Sequence, residues 1–156
     1  MTLDCEATNF LGLHLAHNID GTVTIIQPKL LAKLLSLHQP LKGPSQPPLH
    51  PYSPLSKDTD PTPQPADHYS YLRLFGILLY LTKSRPDIMA AVSFAGTRSS
   101  NPTDRILRDL YYVVEYLRET QDMGHILHKS TIHALRIYCE VDASYLVHSD
   151  SKGHSG

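Results

Sequence analysis

Little in this sequence points to an oxidising compartment or a membrane. Its 156 residues include only two cysteines, Cys5 and Cys139, set far apart, which argues against a disulfide framework. No stretch approaches the roughly 18 to 20 apolar residues that a membrane-crossing helix needs. The first ten residues carry Asp4 and Glu6 and no apolar block, unlike a secretory signal. An excess of positive charge is also missing. Fourteen Lys and Arg stand against 15 Asp and Glu, a formal net charge of −1, whereas a protein that coats DNA draws its affinity from surplus cations on phosphates. The expected setting is intracellular, cytoplasmic or nuclear, and the length suits one domain or two small pieces.

The common catalytic signatures are absent too. There is no glycine-rich phosphate loop and no Gly-x-Ser-x-Gly elbow. Ten histidines invite a metal reading, and the nearest pairs are His14 with His17 and His125 with His128. Zinc needs three or four ligands at fixed geometry, and no Cys-x-x-Cys or His-Glu-x-x-His accompanies them. On a strand, an offset of three puts the two rings on opposite faces, so these histidines read as ordinary surface or core residues. Tyr69, Tyr71, Tyr111, Tyr112 and Tyr116 could stack on bases, but at helical spacing packing is the favoured role. Asp142 ends an apolar strand pattern. A carboxylate there is a strand-end cap or one member of a metal-binding set, and two-metal phosphodiester chemistry needs several carboxylates around ions roughly 4 Å apart. After it the sequence offers only one more acid, Asp150, so spacing alone favours a cap.

What the chain does contain is an α+β pattern. Leu11, Leu13 and Leu15 alternate with Gly12, His14 and Ala16, and Val23 and Ile25 alternate with Thr22 and Thr24. This predicts strands at about 9–17 and 21–27 with one face on a core, joined by a reversal at Asn18-Ile19-Asp20-Gly21. Pro28 suits a first helical turn, and Leu30, Leu31, Leu34, Leu35 and His38 follow at helical spacing. From Pro40 to Pro65 come nine of the twelve prolines, which predicts an extended, mostly solvated connector.

Beyond the connector, residues 69–83 are apolar almost all round and predict a helix buried on most sides. Pro86 ends it and opens another helix with Ile88, Val92 and Ala95 on one stripe. Ser100-Asn101-Pro102 offers a cap and a first-turn proline. The helix after it spaces Ile106, Leu110, Val113 and Leu117 on one face. Residues 124–129 predict a short strand. Residues 131–141 predict a strand that runs into Asp142, and the turn composition of residues 149–153 suggests a hairpin whose open edge calls for more chain. No internal repeat is present.

In their order these residues resemble a known family. Phe10-Leu11-Gly12, Gln27 and its helix, Leu79-Tyr80-Leu81-Thr82-Lys83-Ser84-Arg85-Pro86-Asp87-Ile88, Ala91-Val92-Ser93, Asn101-Pro102-Thr103, Tyr116-Leu117-Arg118 and Asp122-Met123-Gly124 are similar to the reverse transcriptase of copia-type LTR retrotransposons. Val141-Asp142-Ala143-Ser144-Tyr145 and Gly153-His154-Ser155-Gly156 resemble the start of that family's ribonuclease H domain. The resemblance implies a polymerase palm end (1–27), a thumb-like helix (28–39), the proline-rich connector (40–68), a helical thumb and connection region (69–121), and a strand region with an incomplete ribonuclease H start (122–156).

The family's paired metal-binding aspartates, Tyr-x-Asp-Asp, would precede Phe10, and no two aspartates are adjacent anywhere here. Asp142 matches the first nuclease carboxylate, a metal ligand only if the other acids were supplied. The resemblance therefore implies a chain without either complete active site, no cofactor of its own, Mg²⁺ in the complete enzyme, and an RNA/DNA primer–template and the remainder of a Pol polyprotein as partners. There are departures. Where relatives are rich in Arg and Lys, Tyr111-Tyr112-Val113-Val114-Glu115 stands, and the usual Lys-Gly-Thr reads Arg118-Glu119-Thr120. The alternative is a co-opted, non-catalytic module that docks on nucleic acid or on a full-length polymerase.

Overall fold

The computed structural model describes residues 8–40, 64–129, 143–144 and 154–155, and the fold is α+β. Most of the proline-rich connector, the strand expected over 131–141, and Asp142 itself lie outside the described residues.

The first difference from the sequence pattern comes at once. Residues 9–17 do not form one strand. Asn9–Phe10 (β1) pairs back onto Leu13–His17 (β2), with Phe10 opposite Leu13. The two residues between them, Leu11 and Gly12, take φ values of 47° and 79°, the left-handed conformation that closes a two-residue hairpin. Glycine adopts it freely and leucine at a cost. β2 pairs with Val23–Ile26 (β3) through the expected reversal, where Gly21 supplies the positive φ and Asp20 accepts from the Thr22 amide at 2.9 Å.

His125–Leu127 (β4) then adds to the far side of β3. The sheet order is β1-β2-β3-β4, antiparallel throughout. Sequence separation hides this last pairing, which joins the amino-terminal hairpin to a strand about a hundred residues later. Gly124 makes it possible: a Cβ there would lie 2.6 Å from Ile26 Cγ2 and 2.8 Å from the Ile25 carbonyl oxygen. Gly124→Ala is expected to push β4 off β3 and cost about 1–3 kcal/mol, measured by urea unfolding. Unchanged stability would mean that β4 is not held in this register.

Among the described residues, four α-helices form the body of the fold. Pro28–Leu37 (α1) begins on its proline, as the sequence suggests. His68–Leu81 (α2) is capped by Asp67, whose Oδ2 accepts from the Ser70 amide at 3.1 Å. A single turn at Pro86–Ile88 leads into Met89–Gly96 (α3), and Asp104–Glu119 (α4) follows. α4 does not start at Pro102. The Pro102 carbonyl accepts from the Ala66 amide at 3.0 Å, and the Asp104 amide donates to the Gln64 carbonyl at 3.0 Å. The end of the connector thus supplies the partners that a side-chain cap would otherwise provide.

The core is helical. Leu34, Tyr71, Leu74, Leu78, Leu81, Ile88, Val92, Ala95 and the α4 stripe Ile106, Leu110, Val113, Val114 and Leu117 form one buried cluster. The spacing of α4 predicts its buried face correctly. Two expectations fail. α2 is buried on one side only, with Tyr69, Leu72 and Leu79 exposed. The sheet alternation does not place a face on this core: no residue of β1–β4 belongs to the cluster or to the partly buried side chains packed against it.

The remaining pair is Ala143–Ser144 (β5) with His154–Ser155 (β6), antiparallel.

Candidate functional site

The densest polar chemistry among the described residues sits where α2 ends, and it is built from the Ser84-Arg85-Pro86-Asp87-Ile88 element. α2 stops because Pro86 pushes Arg85 out of helical geometry, to φ −131° and ψ 72°. That turn sends the Arg85 side chain inward, where it is 3% exposed. A buried guanidinium must have its N–H groups met. Nε donates to Asp87 Oδ1 at 3.0 Å and Nη2 to Asp87 Oδ2 at 2.7 Å, a two-pronged pair. Nη1 donates to the Thr120 carbonyl at 2.8 Å and Nη2 to the Thr120 hydroxyl at 2.7 Å. Thr120 follows the last turn of α4, so the cation also meets the negative end of that helix.

Tyr116, one turn earlier on α4, closes the arrangement. Its hydroxyl donates to Asp87 Oδ2 at 2.8 Å, and the Arg85 guanidinium lies over its ring, 5.4 Å from the centroid. Beside them Ser84, also buried, donates to Gln27 Oε1 at 2.8 Å. This second link ties the end of the β2–β3 hairpin to the end of α2, and Tyr80 adds a third by donating its hydroxyl to the Leu11 carbonyl in the β1–β2 turn.

The electrostatics follow from the geometry. Burial by itself would push the Asp87 carboxyl up, but hydrogen bonds from Arg85 and Tyr116 and the guanidinium charge outweigh it and hold the group below its ordinary 3.8. Burial, the hydrogen bond to Asp87 and the carboxylate charge push the Tyr116 hydroxyl up. A carboxyl depressed in the folded state stabilises fully above its unfolded value, and that stability is lost as pH falls through the lower folded value. Asp87→Asn is therefore expected to flatten the acid limb of the stability–pH curve below about pH 4. Chemical unfolding at stepped pH measures it. An unaltered limb would assign it to Asp20 and Asp67, whose carboxyls are held low by hydrogen bonds from Thr22 and Ser70.

This arrangement is a clamp. Each carboxylate oxygen of Asp87 accepts from Arg85, and Oδ2 accepts from Tyr116 as well. Among the described residues no group of three or more His, Cys, Asp or Glu side chains could hold a metal ion.

The other singled-out residues fall as follows. Asp142 and Asp150 lie outside the described residues. The tyrosines do not form one surface. Tyr71 is fully buried, donates to the Ala95 carbonyl at 2.6 Å, and burial pushes its hydroxyl up to about 12. Tyr111 meets the His38 ring edge-on, Tyr116 belongs to the clamp, and Tyr69 is exposed. His14 and His17 sit in β2, opposite Ile26 and Val23 on alternate faces. Where the sequence departs from the resembled pattern, Val113 and Val114 are core, Glu115 pairs with Arg118 at 3.5 Å, and Arg118 donates to the His38 carbonyl at 2.7 Å, beyond the end of α1. Thr120 in the clamp was not singled out by sequence. The signal available was a hydroxyl just past a helix end, which is common and uninformative by itself.

No protein-family profile, curated protein or solved structure matches this chain. No described helix is long and apolar enough to cross a membrane.

Proposed function

We propose that this chain is part of a copia-type retrotransposon reverse transcriptase, comprising the end of the palm, the thumb-like and connection helices and the start of the ribonuclease H domain. Its role in the intact enzyme is to hold the primer–template duplex, without performing chemistry itself. The observation that supports this reading is convergence. Gln27, Ser84, Arg85, Asp87 and Tyr116 come from separate stretches of the resemblance, 57 residues apart for Gln27 and Ser84 and 29 apart for Asp87 and Tyr116, yet Gln27 pairs with Ser84 and Tyr116 pairs with Asp87 on either side of one helix stop. The residues that carry the resemblance are thus also ones that pair with each other across the fold.

The deciding experiment reads the DNA on either side of the coding segment. An in-frame Tyr-x-Asp-Asp upstream and further nuclease acids downstream of Asp142 are expected, and flanks without either would overturn the assignment. At the protein level, fluorescence anisotropy with a labelled RNA/DNA hybrid is expected to show weak binding that falls steeply with salt, since it rests on phosphate contacts. No binding even at low salt would remove the holding role. Primer extension with Mg²⁺ or Mn²⁺ is expected to give no product, because the sequence offers no paired carboxylates for two metal ions.

A second reading, a non-catalytic module that docks on a full-length polymerase, draws on the exposed apolar side chains of Phe10, Leu11, Tyr69, Leu72 and Leu79. Under it, binding to the polymerase persists while hybrid binding is absent.

A further inference from the structure

A pocket of about 240 Å³ opens where the end of α1 meets α2 and α4. Its walls are Leu37 and His38 from the end of α1, Ser70, Arg73, Leu74 and Ile77 from α2, and Tyr111 from α4. The lining combines the apolar side chains Leu37, Leu74 and Ile77 with a guanidinium, an imidazole and two hydroxyls. Among the described residues no carboxylate lines it. Arg73 makes no hydrogen bond or ion pair among the described residues, in contrast to Arg85 and Arg118, which are both engaged.

The charges around the pocket favour an anion. The carbonyls at the end of α1 would repel one, but Arg118 already covers them, donating to the His38 carbonyl at 2.7 Å. Burial, with the charges of Arg118 and Arg73, holds the His38 imidazole below its ordinary range, so it is neutral near pH 7 and sits in a positive field. Among the described acids, Glu115 on α4 pairs with Arg118 at 3.5 Å and Asp67 before α2 accepts from the Ser70 amide at 3.1 Å. The His38 ring stands edge-on to Tyr111, centroids 5.3 Å apart, and the two rings form one wall.

The geometry points to a binding site for a small organic oxyanion, its phosphate or carboxylate head on Arg73 and Ser70 and its apolar body against Leu37, Leu74 and Ile77. The planar fork of Arg73 suits two oxygens of such a head, and the small number of polar groups on an apolar wall is the usual make-up of a ligand pocket. This site is separate from the clamp and does not depend on the polymerase reading.

The test titrates phenyl phosphate, benzoate and inorganic phosphate into the full chain by calorimetry, with the His38 ring proton followed by NMR. Saturable binding of an aryl oxyanion is expected, together with a rise in the His38 pKa as the bound charge offsets Arg73 and Arg118. Preference for phenyl phosphate or for benzoate identifies the head group, and either supports the site. Arg73→Gln is expected to weaken binding roughly tenfold or more through the lost charge-assisted hydrogen bonds. Ser70→Glu puts a carboxylate into the pocket at the third position of α2, where glutamate suits a capped helix start. It is expected to abolish binding while leaving the melting temperature unchanged or raised. Inorganic phosphate binding as tightly as phenyl phosphate would overturn the apolar half of the site. No saturable binding, an unmoved His38, or binding indifferent to both substitutions would overturn it altogether.

Discussion

Replacing Arg85 with alanine is expected to destabilise the protein by about 3–5 kcal/mol, the range for breaking a buried ion pair from one side. The side chain is 4% exposed and its partner Asp87 28%, so water reaches part of the carboxylate left behind and the lower end of the range is the better expectation. The loss has three sources. Asp87 keeps its charge but loses both guanidinium bonds. The Thr120 carbonyl and hydroxyl at the end of α4 lose their donors. The Tyr116 ring loses the cation stacked on it. Arg85→Lys is not expected to rescue the fold, because an ammonium cannot reach Asp87 and Thr120 together with the planar fork. Replacing both members of the pair by Met and Leu is expected to cost less than Arg85→Ala alone, since no unpaired charge is then buried. Urea unfolding followed by far-ultraviolet circular dichroism measures all three. A cost below about 1 kcal/mol for Arg85→Ala would place the pair in the surface class and remove the clamp from the account of this fold.

The clamp also shows where sequence reasoning reached and where it stopped. The Ser84–Ile88 element was legible as a helix stop, because proline acts on its immediate neighbour through local sterics. Its partners were not, since Gln27, Tyr116 and Thr120 are brought to it only by packing of α1, α2 and α4. The same division runs through the fold. α4 could be read from Ile106, Leu110, Val113 and Leu117, because a strong apolar stripe fixes both the element and its buried face. The start of α4 could not, because the connector backbone at Gln64 and Ala66 takes the place of a local cap. The β1–β2 turn was missed for another reason. Leu11 in a left-handed conformation contradicts its own preference, and only Gly12 beside it hinted at a reversal. The pocket around Arg73 and His38 left no trace in sequence, as its walls come from three helices.

The second large effect separates the two halves of the α+β fold. Leu110→Ala is expected to cost about 2–5 kcal/mol, because Leu110 is 1% exposed and packed inside the helical cluster. Leu15→Ala is expected to cost less, about 1–2 kcal/mol, the share of a leucine's transfer free energy that a partly buried site retains. From the alternation of Leu11, Leu13 and Leu15 alone the two substitutions would look alike, since the pattern places those leucines on a core. In the structure β2 is only partly buried along Leu13 to Ala16, and no strand residue enters the helical cluster. Among the described residues, the Gln27–Ser84 and Tyr80–Leu11 hydrogen bonds join the sheet to the helices. Hydrophobic stabilisation scales with the apolar area removed from water, so stability should reside in the helices and the sheet should follow them. Paired urea unfolding of the two variants tests this. A Leu15→Ala loss equal to that of Leu110→Ala would show that a face of the sheet is buried after all, and that the helices are not the whole core.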